Sequence, residues 1–107
     1  MNNLLSGKIQ ALELQDIWES MVQMDHLHPE IAYRIEKLVH RIAPLADKIF
    51  LKTVKARELL IECREKTAAL QNQIESDANN AFYVLTNLEK TFEDLLRKTY
   101  DFRIKAG

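Results

Sequence analysis

From Ile31 onward the apolar residues of this chain recur at alternating spacings of four and three. Ile31, Ile35, Leu38, Ile42, Leu45 and Ile49 form one such run. Thr53, Ala56, Leu60, Cys63, Thr67, Leu70 and Ile74 continue the alternation, and Ala81, Leu85, Leu88, Phe92, Leu95, Thr99 and Phe102 repeat it. Residues so spaced share one face of an α-helix. Sustained over many turns, the pattern is the seam by which helices pair.

The residues that reverse a chain are scarce. There are 2 glycines, Gly7 and Gly107, and 2 prolines, Pro29 and Pro44. Tight turns draw on glycine, proline and asparagine for their backbone angles, so a β-rich fold is excluded and the helices have few places to end. The sequence predicts an all-α domain over residues 1–107. A first helix is expected over 8–25, capped by Ser6, with Leu14, Ile17, Trp18, Met21 and Met24 on one face. A break follows at His26 to Glu30: His28 is the expected cap, Pro29 the first helical residue, and Glu30 suits the helix dipole.

A long central helix is expected over 29–75, kinked near Pro44, where Leu45, Ile49 and Thr53 also form a stutter in the seam, with a full break at Pro44 as the alternative. After Ser76-Asp77-Ala78-Asn79-Asn80 a third helix is expected over 79–105, with straight passage through the asparagines as the alternative. The two flanking helices together match the middle one in length. The expected architecture is therefore an elongated, antiparallel, coiled-coil-like three-helix bundle, with a compact bundle of spectrin-repeat type ranked second. The outer faces agree, since Glu30–Arg34, Glu62–Lys66, Glu93–Arg97, Asp94–Lys98 and Asp101–Lys105 are all acid-first pairs four residues apart.

Net charge is -1, too balanced for a field that attracts nucleic acid or an acidic membrane. No apolar run approaches the ~20 residues of a membrane span. A single cysteine, Cys63, makes no internal disulfide, which suits a reducing, cytoplasmic setting. It lies in the apolar seam, far along the helix from His40, and reads as a small core hydrophobe rather than a nucleophile. Asp25, His26, His28 and Glu30, with His40 beyond, have metal-ligand chemistry. They span a turn rather than one helical face, so capping explains them better. No phosphate loop, paired-carboxylate motif or serine–histidine arrangement occurs at informative spacing. No enzyme, cofactor or small-molecule substrate is expected.

What remains is helix pairing. Trp18, Met21 and Met24 read first as core, and second as an adaptable contact surface. With Phe82, Phe92 and Phe102 of the last helix they are the expected partner-binding residues. The expected function is a non-enzymatic interaction module, a subunit or adaptor binding another helical protein or a second copy. The alternative is a small chaperone or inhibitor that sequesters a partner's helix.

Pro29 to Ile74 also resembles the smallest coiled-coil subunit of the dynactin shoulder, through Pro29-Glu30, Ala32, Arg34, Leu38, Asp47, Thr53, Leu59-Leu60, Glu62, Thr67, Leu70 and Gln73. The resemblance implies a structural role, as an α-helical subunit bundled with other long helices in a motor-associated complex.

Overall fold

The computed structural model describes residues 3–43 and 54–106, and their side chains over 10–43 and 55–98. The described residues form four helices and no strand: α1 (Asn3–Val22), α2 (Pro29–Ile42), α3 (Val54–Ile74) and α4 (Ala78–Ala106).

α1 begins ahead of the expected Ser6 cap and runs through Gly7, which a helix tolerates at a cost of ~1 kcal/mol. It stops at Val22 rather than 25 because its last turn tightens. Met24 N–H donates to Met21 C=O at 3.1 Å, and His26 then takes φ 68° and reverses the chain. Left-handed backbone at a non-glycine residue is uncommon, though histidine is among those that tolerate it.

α2 starts as its sequence dictates. Pro29 needs no N–H partner in the first turn, and His28 Nδ1 accepts from Glu30 N–H at 3.1 Å. α4 begins at Ala78 behind Asp77, whose Oδ1 accepts from the N–H groups of Asn79 (3.1 Å) and Asn80 (3.3 Å). That cap ends any straight passage through the asparagines.

α2 and α3 are not the two halves of one long rod. A straight helix over 29–75 would measure about 70 Å, whereas the longest dimension of the molecule is 43 Å. Arg41 of α2 pairs with Glu93 of α4, and Lys66 of α3 donates to Thr91 on the same turn of α4. Along one rod Arg41 and Lys66 would stand about 37 Å apart. The expected kink at Pro44 and the stutter at Leu45, Ile49 and Thr53 lie outside the described residues.

The helices form two hairpins, α1–α2 and α3–α4, laid against each other. Glu13 lies by Arg64 and Trp18 by Thr67, so α1 and α3 run parallel. His28 lies by Phe82, Arg34 by Glu89 and Arg41 by Glu93, so α2 and α4 run parallel too. α2 and α3 therefore occupy opposite corners of the bundle. Both hairpin turns, 23–28 and 75–77, meet at one end.

A single core fills the middle. Leu14, Trp18 and Met21 of α1, Ile31, Ile35 and Ile42 of α2, Leu60, Cys63 and Leu70 of α3, and Leu85, Leu88 and Phe92 of α4 are all buried. The radius of gyration is 14.0 Å, against ~13 Å for a globule of this length. The all-helical expectation holds for the described residues, and the molecule is longer than wide, at 43 × 22 × 21 Å, but shorter than a rod of about 70 Å would make it. Four seams closing on each other hide more apolar surface than three strung along a rod.

Candidate functional site

The six residues expected to bind a partner fall into three groups. Trp18 and Phe92 are 0% exposed and Met21 1%. Trp18 meets Phe92 edge to face, with ring centroids 5.5 Å apart and planes at 84°. These three are interior, because the fourth helical seam covers what an open hairpin would have left bare. Met24 and Phe82 are half-buried against the edge of the core. Phe102 lies on α4, beyond the described side chains.

Phe82 has a defined setting. His28 stands edge-on to it at 5.0 Å, and the Arg34 guanidinium lies 6.0 Å from its ring centre. Arg34 is the centre of the α2–α4 contact. Its Nε donates to Glu89 Oε2 at 2.9 Å, one Nη donates to Glu89 Oε1, and the same Nη reaches Thr86 Oγ1 at 3.1 Å. This two-toothed pairing with Glu89 raises the arginine's affinity for its proton. Two turns on, Arg41 donates to Glu93 and lies 5.7 Å from the Phe92 ring centre. The Arg41 bond holds the Glu93 carboxyl below its ordinary range.

Arg34 and Glu93 were expected to pair within their own helices, with Glu30 and Arg97. Both bond across helices instead: Arg34 gains a fork on the half-buried Glu89, which outcompetes an exposed pair worth ~0.2–0.5 kcal/mol, and Glu93 accepts a single bond from Arg41. Arg97 lies 3.3 Å from Asp94, one residue closer in sequence than expected, while Glu62–Lys66 stands at 3.9 Å as anticipated. Asp101 and Lys105 lie outside the described side chains.

Cys63 is fully buried, and loss of hydration pushes its thiol up to about 12. It is therefore held as the thiol at neutral pH. Among the described residues, no three metal-ligating side chains gather, and no helix is long and apolar enough to cross a membrane. His28 serves as the α2 cap, and His40 lies 3.9 Å from Glu36.

Two concavities stand out. A groove of about 290 Å³ runs between α1 and α2, lined by Glu19, Val22, Gln23, Glu36, Val39 and His40. A second, of about 260 Å³, opens where the two hairpin turns meet. Met24, Leu27 and Ile74 form its apolar floor against the core, and Asp25, His26 and Glu75 form its rim.

The rim belongs to a larger electrostatic feature. Residues 9–33 and 67–89, which include both hairpin turns and the helix turns that lead into them, contain no lysine or arginine. They carry Glu13, Asp16, Glu19, Asp25 and Glu30 in one stretch, and Glu75, Asp77 and Glu89 in the other. Glu13 and Glu89 are answered by Arg64 and Arg34 of the neighbouring helices, whereas Asp25, Glu75 and Asp77 stand in the turns themselves, with no lysine or arginine within eight residues in sequence. A single net charge of -1 conceals this separation, though the empty stretches were readable in the sequence.

No protein-family model matches the chain, and neither does any curated protein or solved structure.

Proposed function

We propose that the chain is a non-enzymatic helical interaction module, a structural subunit or adaptor that binds another helical protein or a second copy of itself. The unequal length of its helices carries this reading. α2 ends at Ile42, beside Glu93 of α4. α4 goes on to Ala106, thirteen residues past Glu93, or about 20 Å. Its apolar seam continues in sequence through Thr99 and Phe102, next to Tyr100 and Ile104. Among the described residues α4 thus outruns α2, its parallel neighbour, and a helix that does so offers a place for a further helix to lie.

The scattered apolar residues elsewhere do not compete with this face. Leu12, Tyr33, Ile61 and Tyr83 are exposed, one on each helix, and isolated residues of that kind are ordinary surface. The resemblance of Pro29 to Ile74 to the dynactin shoulder subunit points the same way. So does the single unpaired cysteine, which suits a cytoplasmic setting.

The test is solution mass by sedimentation, with a thermal melt on the same sample. The whole chain is expected to exceed a monomer and melt sharply. A chain ended at Lys98 is expected to keep its helicity and fall to a monomer. A whole chain that stays monomeric, melts cooperatively and binds no dye for exposed apolar surface overturns the reading.

A further inference from the structure

We propose that the acid-rimmed cavity at the hairpin turns receives the last turns of α4 from a second copy, so that copies associate head to tail. The inference rests on the interaction-module reading and names its partner. Three observations support it: the lining of the cavity, the placement of charge, and the sequence at the far end of the molecule.

The cavity's about 260 Å³ take one large side chain. Its floor of Met24, Leu27 and Ile74 suits an apolar anchor, and methionine adapts to the shape of what enters. Asp25 and Glu75 flank the opening, in a region whose sequence supplies no lysine or arginine to neutralise them. The fitting occupant is an apolar side chain flanked by cations.

The chain carries such a segment. The last turns of α4 read Tyr100-Asp101-Phe102-Arg103-Ile104-Lys105, preceded by Arg97 and Lys98. Phe102 and Ile104 alternate with Arg103 and Lys105. This segment cannot reach the cavity of its own molecule. α4 starts at the hairpin end and runs away from it for 29 residues, about 43 Å, which spans the 43 Å length of the molecule. The acidic and basic features thus stand at opposite ends. Self-association through them is heterologous, one surface meeting a different one, and propagates until geometry closes a ring or the filament ends.

Charge reversal at each end tests this. Asp25→Lys with Glu75→Lys alters the cavity rim, and Arg103→Glu with Lys105→Glu alters the last turns of α4. All four positions are charged, Asp25 and Glu75 are exposed, and circular dichroism checks that each variant folds. Each double variant alone is expected to associate at least ~10-fold more weakly than the parent, because like charges then face each other. The chain carrying all four reversals is expected to recover the parent's association, as is an equimolar mixture of the two double variants. Salt at 1 M, where screening falls to ~3 Å, is expected to reduce association of the parent.

If the parent chain assembles while either double variant assembles as well as it does, the head-to-tail contact is overturned and the interaction-module reading stands. If both variants lose assembly and the fourfold reversal does not restore it, the pairing of these two ends is likewise overturned. A parent chain that is monomeric throughout fails the earlier test, which separates failure of the module from failure of this contact.

Discussion

Trp18 Nε1 donates a hydrogen bond to Thr67 Oγ1 at 3.0 Å, joining α1 to α3 across the buried centre of the bundle. Both residues are closed to solvent, so neither finds a replacement partner in water. Thr67→Val keeps the shape and removes the acceptor. It is expected to destabilise the fold by ~1–3 kcal/mol in urea denaturation, the range for orphaning a buried donor. Trp18→Phe in the Thr67→Val background is expected to cost less than Trp18→Phe alone, since the donor and acceptor then leave together. Additive losses would show that the bond contributes nothing.

The two arginine–glutamate contacts between α2 and α4 differ in burial, and their energies are expected to follow. The side chains of Arg34 and Glu89 are 22% and 30% exposed, against 45% and 44% for Arg41 and Glu93. Double-mutant cycles to alanine are expected to give the larger coupling for Arg34–Glu89. Arg41–Glu93 is expected near ~0.2–1 kcal/mol, as for exposed pairs. The reverse order would mean that the fork on Glu89 is not the principal tie between these helices.

Acid is expected to weaken the same contact. Arg41 holds the folded Glu93 carboxyl below its ordinary value of 4.5. A depressed carboxylate stabilises the fold above the unfolded value and loses that contribution as pH falls through the folded one. The urea midpoint should therefore drop below about pH 4.5 by less in Glu93→Gln than in the parent. Equal acid sensitivity in the two would remove Glu93 from the account.

Cys63 reports on opening of the core. With its thiol pushed up to about 12, it should resist a thiol reagent at pH 8 and react at the rate of unfolding. Because the folded value is raised, its contribution to stability is complete below the unfolded value of about 9. It declines as pH rises from there towards about 12. Cys63→Ala should flatten that decline. Rapid labelling of the folded chain at pH 8 would show the site to be open.

His26 holds φ 68° in the turn between α1 and α2. Glycine adopts that conformation without a Cβ clash. His26→Gly is expected to raise stability by ~0.5–1 kcal/mol despite the added freedom of the unfolded chain. A loss would mean that the imidazole makes contacts worth more than the strain.

Local chemistry made the helices readable, and burial made the site hard to read. His28-Pro29-Glu30 set the start of α2 through a cap and a fixed φ, both written in three residues. The seam residues Ile31, Ile35, Leu38 and Ile42 predicted the buried face of α2 in full. The separation of α2 from α3 was legible only as the alternative of a break at Pro44, because heptad spacing is the same for one long helix as for two shorter ones. The same degeneracy left Trp18, Met21 and Phe92 with two readings, core first and contact surface second, since a seam residue looks identical whether its neighbour is internal or external; their burial agrees with the first. Arg34 and Glu89 lie 55 residues apart, a separation at which no local rule signals a bond. The cavity at the turns was equally hidden, though the long stretches without lysine or arginine could have directed attention to that end.

The two-hairpin layout has a consequence for synthesis. Each hairpin is built from neighbours in sequence, but Trp18 and the rest of the α1–α2 apolar face are covered by helices that follow. A ribosome extends the chain at ~5–20 residues per second, so the first hairpin waits several seconds for the second. Over that interval its side chains face solvent, and crowding by neighbouring nascent chains is the hazard. The same interval lets the α1–α2 face of one nascent chain meet the α3–α4 face of another on the same message, so exchanged hairpins would be set during translation rather than after release.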